Sequence, residues 1–153
     1  AKSIPKSDVN VIDLNDYEMP IYSVDRENEG GIPDMAYKFR EQFKNSDAIV
    51  ISFAEHNASY TSAFKNIFDW ISRIDKNIWF NKPMFLLATS TGSNGASIVL
   101  EVAFSIISRG NTNHISTFSL PNFNDNFNEN TGITNSKLKV IFESKLNEFI
   151  SKM

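Results

Sequence analysis

The chain contains no cysteine, so disulfides, a thiolate nucleophile and thiolate metal ligation are all excluded. Histidine is almost as scarce, with only His56 and His114, which leaves little for a histidine-rich metal site. Blocks of like charge are missing too. With a formal net charge of -3 there is no basic face for nucleic acid or an acidic membrane. No apolar run approaches the ~18 residues of a membrane span, and no charged-then-apolar leader opens the chain. A soluble protein compatible with a reducing cytoplasm is expected.

What is present, 153 residues with 41% hydrophobic content, suits one globular domain over 1–153. Ala1 to Pro5 reads as the end of a helix stopped by Pro5, so a preceding segment is expected. Val9 to Leu14 has the spacing of a partly covered strand near a sheet edge. After a polar, glycine-containing connection, Pro33 suits a first helical turn, and Met35, Ala36, Phe39 and Phe43 line one face of a helix ending at Ser46.

Ala48 to Ala54 is almost continuously apolar, as expected of a central parallel strand covered on both faces. From Ser62 to Ile74 the apolar residues Ala63, Ile67, Trp70, Ile71 and Ile74 follow helical spacing. Met84 to Ala88 predicts another strand, and a broadly apolar helix begins near Ser97. Ile115 to Leu120 predicts an edge strand ended by Pro121. An Asn-rich loop follows, then an amphipathic helix from Ser136 to Met153. Strand and helix thus alternate four times. That order predicts an α/β fold: a doubly wound parallel sheet with helices on both faces.

In such a sheet the loops after the strands converge on one crevice, which singles out Glu55 to Ser62 and Thr89 to Ala96. The first offers Glu55, His56, Asn57 and Ser59 just before a helix N-terminus, where free N–H groups can meet electron-rich ligand atoms. The second offers Ser90, Thr91, Gly92, Asn94 and Gly95, whose glycines would let a flat ring approach the backbone. Asn124, Asp125, Asn126, Asn128 and Glu129 superficially suggest calcium but lack the spacing of a calcium loop, so no metal is expected.

These residues carry a resemblance. Ala54-Glu55-His56-Asn57-Ala58-Ser59 followed by Phe64-Lys65-Asn66-Ile67-Phe68-Asp69-Trp70 is similar to the P-E-Y-N-G-S and L-K-N-A-x-D-W signature of NAD(P)H-dependent FMN reductases. Thr89 to Ala96 resembles their S-T-x-G-x-x-G-G loop in the corresponding place. The chain departs from the pattern at Ala54 for proline, His56 for tyrosine and Ala58 for glycine.

The resemblance implies a flavodoxin-like fold whose first strand, first helix and phosphate-binding loop this chain lacks. It further implies FMN and NAD(P)H as cofactors, with the nine residues Glu55, His56, Asn57, Ser59, Ser90, Thr91, Gly92, Asn94 and Gly95 at the flavin. The reaction implied is hydride transfer from NAD(P)H to FMN and on to a small-molecule acceptor such as a flavin, quinone or azo dye. No obligatory side-chain acid is required. Lys65, Asn66, Asp69 and Trp70 are read as structural first. A homodimer or homotetramer is implied, and the broadly apolar Ile98 to Ile107 helix independently suggests a partner surface. A signalling receiver domain fits poorly, because Phe53-Ala54 stands where its phospho-acceptor Asp is needed. The stronger alternative is a non-catalytic flavodoxin-like scaffold that has lost FMN.

Overall fold

The computed structural model describes residue 4 and residues 8–153. Three strands form the main sheet, β1 (Ile49–Phe53), β4 (Met84–Thr89) and β5 (Ile115–Leu120). They lie parallel in the order β1-β4-β5, with Ile49 opposite Met84 and Met84 opposite Ile115. Two further strand pairs are short antiparallel hairpins, β2 (Glu55–His56) with β3 (Ser59–Tyr60), and β6 (Phe127–Asn128) with β7 (Gly132–Ile133). The helices are α1 (Val24–Gly30), α2 (Asp34–Lys44), α3 (Ser62–Ile74), α4 (Ser97–Gly110), α5 (Phe123–Asn126) and α6 (Ser136–Ile150).

Alternation along β4 divides the core between the two sheet faces. Met84, Leu86 and Ala88 join Ala36, Phe39 and Phe43 of α2, Ile67, Trp70 and Ile71 of α3, and Val99, Ala103 and Ile107 of α4 in one cluster. Phe85 points the other way, with Phe118 and Leu120 of β5, to meet Leu146 and Phe149 of α6. The sheet is therefore doubly wound, three helices against one. In the larger cluster Phe64, Phe68 and Trp79 stack in a row at 6.1 and 5.8 Å between ring centroids. Such pairs add about 0.5–1.5 kcal/mol each beyond burial.

Two expectations need correction. Val9 to Leu14 is not a strand: residues 8–13 form no ladder, and Leu14–Tyr17 closes a 3₁₀ turn capped by Asp13. Among the described residues no strand lies beside this segment, so its alternating side chains have no sheet to lie on, and Val11 is 84% exposed. The segment instead drapes over helices, with Ile12, Leu14 and Tyr17 against the larger core and Asn10 bonded to Gln42 of α2. β1, in turn, is an edge strand rather than a central one. Only β4 pairs with it among the described residues, and Val50, on the same face as its ladder neighbour Phe85, is 47% exposed. β4 is the central strand, and the parallel ladder has three members where the pattern predicted four. The helix end expected at Ala1–Pro5 lies, apart from Ile4, outside the described residues.

At the N-terminal end of the sheet the connections are fixed by polar bonds. Lys82 Nζ donates to the carbonyl of Ser46 beyond α2, Asn111 Nδ2 donates to the carbonyl of Lys82 at 2.8 Å, and Asn113 Nδ2 donates to that of Asn81. His114 pairs with the buried Ser116 at 2.8 Å at this same end. His56 follows the opposite, C-terminal end of β1, so the two histidines cannot share a site.

Candidate functional site

Because the strands run parallel, their C-terminal ends line up, and the segments leaving β1, β4 and β5 meet there. The first, expected as a plain loop, is the β2–β3 hairpin. Asn57 (φ 51°) and Ala58 (φ 60°) are both left-handed, the two-residue arrangement that matches strand twist in tight hairpins. Asn tolerates that region, whereas Ala at such a φ costs about 1–2 kcal/mol. His56, Asn57 and Ala58 are exposed at the tip, and Glu55 and Ser59 are half-buried at its base. The base leads into α3, whose first turn is capped by Thr61 Oγ1 accepting from Phe64 N–H at 3.2 Å.

The second segment, Ser90 to Ala96, is locked to the end of β5. Thr89 Oγ1 donates to the carbonyl of Leu120 and Ser119 Oγ to that of Gly95, both at 2.7 Å. Main-chain bonds add to this, from Asn122 N–H to the carbonyl of Gly92 at 2.9 Å and from Phe123 N–H to that of Ser90 at 3.0 Å. Gly95 is buried at φ 58°, and a Cβ there would meet Ser119 Oγ, Pro121 N at 2.7 Å and Leu120 C at 2.9 Å. Its glycine is thus required by β5. Gly92 differs, since a Cβ would meet only Ser90 Oγ at 3.8 Å. Thr91, Gly92, Ser93 and Asn94 are exposed, and the N–H groups of Thr91, Gly92 and Ser93 have no acceptor among the described residues.

Nine candidate residues therefore fall on two loops at the same end of adjacent strands. A hydrogen bond ties the hairpin to the helix that follows the second loop: Glu55 Oε2 accepts from Val99 N–H of α4 at 2.9 Å. Exposed backbone donors on one loop and an exposed polar tip on the other suit a flat heteroaromatic ring with acceptor atoms on its edge, such as a flavin. Among the described residues no group of three His, Asp or Glu side chains comes together, and the Asn-rich segment folds instead as α5 and the β6–β7 hairpin.

Two neighbouring features escaped the sequence reading. Asn122, left-handed at φ 47°, turns the chain after β5 so that α5 flanks the second loop. Proline followed by asparagine was the available signal for that turn. The other is a clasp. Asn66 of α3 accepts from Tyr22 N–H at 2.8 Å and donates to the carbonyls of Met19 and Pro20 at 3.0 and 3.2 Å. Trp70 Nε1 donates to Pro20 as well, at 2.7 Å. Asn66 and Trp70 thus fasten the Met19–Tyr22 segment to α3, while Lys65 and Asp69 pair with each other along the helix. Within the clasp, Tyr22 donates to Glu27 at 3.0 Å and Glu27 pairs with Arg73. Partial burial, then the hydrogen bond to Glu27, pushes the Tyr22 hydroxyl above the ordinary tyrosine range.

Comparison with known proteins agrees with this architecture. The family model described as NADPH-dependent FMN reductase matches residues 1–125. An NADPH:quinone oxidoreductase of Arabidopsis thaliana is 31% identical over 94 residues, 61% of this chain and 46% of that protein. An NAD(P)H-dependent FMN reductase of Pseudomonas aeruginosa is 32% identical over 95 residues, 62% of this chain and 47% of that protein. The chain thus spans about half the length of these curated relatives. Among solved structures, the flavoenzyme NAD(P)H:(acceptor) oxidoreductase FerB from Paracoccus denitrificans superposes with a TM-score of 0.68. At 21% identity the match covers 91% of this chain and 76% of that one, a likeness of fold.

Proposed function

The chain belongs to the NADPH-dependent FMN reductase family, and from that premise we propose that it is an NAD(P)H-dependent flavin oxidoreductase whose final acceptor is a small molecule of the quinone or flavin class. The observation that carries the reading is the meeting of the β2–β3 hairpin with the Ser90–Ala96 loop at the C-terminal ends of β1 and β4. The quinone reductases of Arabidopsis thaliana and of Burkholderia among the relatives support the acceptor class.

In this reading bound FMN supplies the redox chemistry, taking hydride from NAD(P)H and passing electrons to the acceptor. The chain's own part is placement and electrostatics. The free N–H groups of Thr91, Gly92 and Ser93, with Ser90 and Asn94 beside them, donate to the polar edge of the ring. Those donors favour an electron-rich ring without reorganising. Exposed backbone at Gly92 lets the ring lie close, because no side chain stands over it. His56, Asn57 and Ser59 border the ring from the hairpin, while Gly95 fixes the second loop to β5. No side-chain acid is needed for the hydride step.

Residues 1–153 act as one domain in this proposal, with a second copy seated on α4, where Ile98 and Phe104 remain 39% and 43% exposed. No helix among the described residues is long and apolar enough to cross a membrane, and the proposed setting is the cytoplasm, where NAD(P)H is supplied. Purified protein supplied with FMN should show a flavin absorbance band that bleaches when NAD(P)H is added without oxygen and returns when a quinone follows. Protein that neither binds FMN nor oxidises NAD(P)H with FMN or a quinone present is the scaffold of the alternative reading. A monomeric mass in solution at working concentration would remove the second copy.

A further inference from the structure

Glu55 stands in the middle of the candidate site, yet its carboxylate is already engaged. α4 opens without a side-chain cap of its own, since the residue before it is Ala96, left-handed at φ 58°. The first N–H groups of a helix have no intrahelical acceptor. Ser97 N–H turns back to the carbonyl of Asn94, and Val99 N–H, the third in the helix, is met by Glu55 from 44 residues earlier in the chain. On the other side of this bond is a hairpin of two residues per strand, too small to hold a fixed position alone. Its tip includes a left-handed alanine, which works against the turn rather than for it.

We propose that Glu55 is a positioning residue, a strap that caps α4 at a distance and thereby sets the spacing between the two ring-side loops. This rests on the flavin reading of the site. The carboxylate does not serve as a ring contact. Its charge is turned to the positive end of the helix, and what the site requires at position 55 is an acceptor of the right length rather than a negative charge. Ring recognition from the hairpin then falls to the tip and to the backbone that the strap holds in place.

Acceptor and charge are separable by substitution. Glu55→Gln keeps a carbonyl oxygen at the same reach, and Glu55→Ala removes it. Amide hydrogen exchange at Val99 in the protein without ligand reads the strap, because that N–H has no helical acceptor to protect it. Titration with FMN, followed by quenching of flavin fluorescence, reads the spacing. In Glu55→Ala, Val99 should exchange about tenfold faster or more and FMN should bind about tenfold more weakly, the scale of one lost charge-assisted hydrogen bond. In Glu55→Gln both should stay within about threefold of the parent. Protection of Val99 unchanged in Glu55→Ala overturns the strap. FMN binding lost equally in both variants while Glu55→Gln keeps Val99 protected overturns the positioning role, and makes Glu55 a charge acting on the ligand. If the parent binds no FMN, the functional reading falls and the ring-side role with it, while the exchange measurement still decides whether Glu55 caps α4.

Discussion

The two loops at the C-terminal end of the sheet are held in opposite ways. Ser90 to Ala96 is fastened by the side chains of Thr89 and Ser119, by main-chain bonds from Asn122 and Phe123, and by Gly95 pressed against the end of β5. The β2–β3 hairpin projects from an edge strand, carries a strained turn, rests on the core through Tyr60 against Phe64, and is hydrogen-bonded to α4 through the Glu55 carboxylate. The difference assigns the loops distinct physical tasks. A loop welded to its neighbour keeps its backbone donors at fixed positions whether or not a ligand is present. One held at its base by packing and at α4 by one hydrogen bond keeps its fold but loses its exact placement when that bond is lost. Damage to the first should appear as lost stability, and damage to the second as lost placement.

The largest expected effect breaks the welded loop. Gly95→Ala puts a methyl group within 2.9 Å of the backbone at Leu120 and Pro121, where nothing can yield without moving β5, and forces a side chain into the left-handed region. Overpacking and backbone strain together should destabilise the fold by about 3 kcal/mol or more. Urea unfolding reads this as a lower midpoint at unchanged slope. A loss below about 1 kcal/mol would mean that the loop relaxes freely and is not welded.

A smaller effect, of opposite sign, tests the hairpin. Ala58→Gly relieves the left-handed strain and gives the turn its preferred Asn-Gly pair, against the greater freedom of glycine in the unfolded chain. The net should be a gain of about 0.5–1 kcal/mol. Equilibrium unfolding that shows the variant less stable would mean that the turn is not of the tight left-handed type.

Legibility in the sequence followed the strength of the local pattern. The helix at Ser62–Ile74 and the strand at Ile115–Leu120 were readable to the residue, the first from its amphipathic spacing and the second from the proline that ends it. Val9 to Leu14 shows the converse. Alternation alone does not make a strand where no neighbour among the described residues completes the ladder, and among those residues Ile49–Phe53 likewise pairs on one side and lies at the edge. The meeting of the two candidate loops at one end of the sheet was legible from the parallel order of strands, and their exposure was legible from their small polar residues. The bond from Glu55 to Val99 was not, since nothing local to Glu55 signals that a helix 44 residues away lacks a cap. Nor did the sequence separate Gly95 from Gly92: both read as room for a ring, and only packing against β5 distinguishes them.

That distinction provides the prediction with the smallest expected stability effect. At Gly92 a methyl group would meet nothing closer than Ser90 Oγ at 3.8 Å, and the backbone there has no need of the left-handed region. Gly92→Ala should therefore leave stability within about 0.5 kcal/mol, the ordinary range for an exposed substitution. If the ring lies against this stretch of backbone, the same methyl group stands in its place, and FMN affinity should fall about tenfold, as for a ligand pushed off its donors. Unfolding and flavin titration on one variant thus separate two roles that the sequence merges. Unchanged affinity together with unchanged stability would move the ring away from Gly92 and toward the hairpin, leaving the welded loop as scaffold alone.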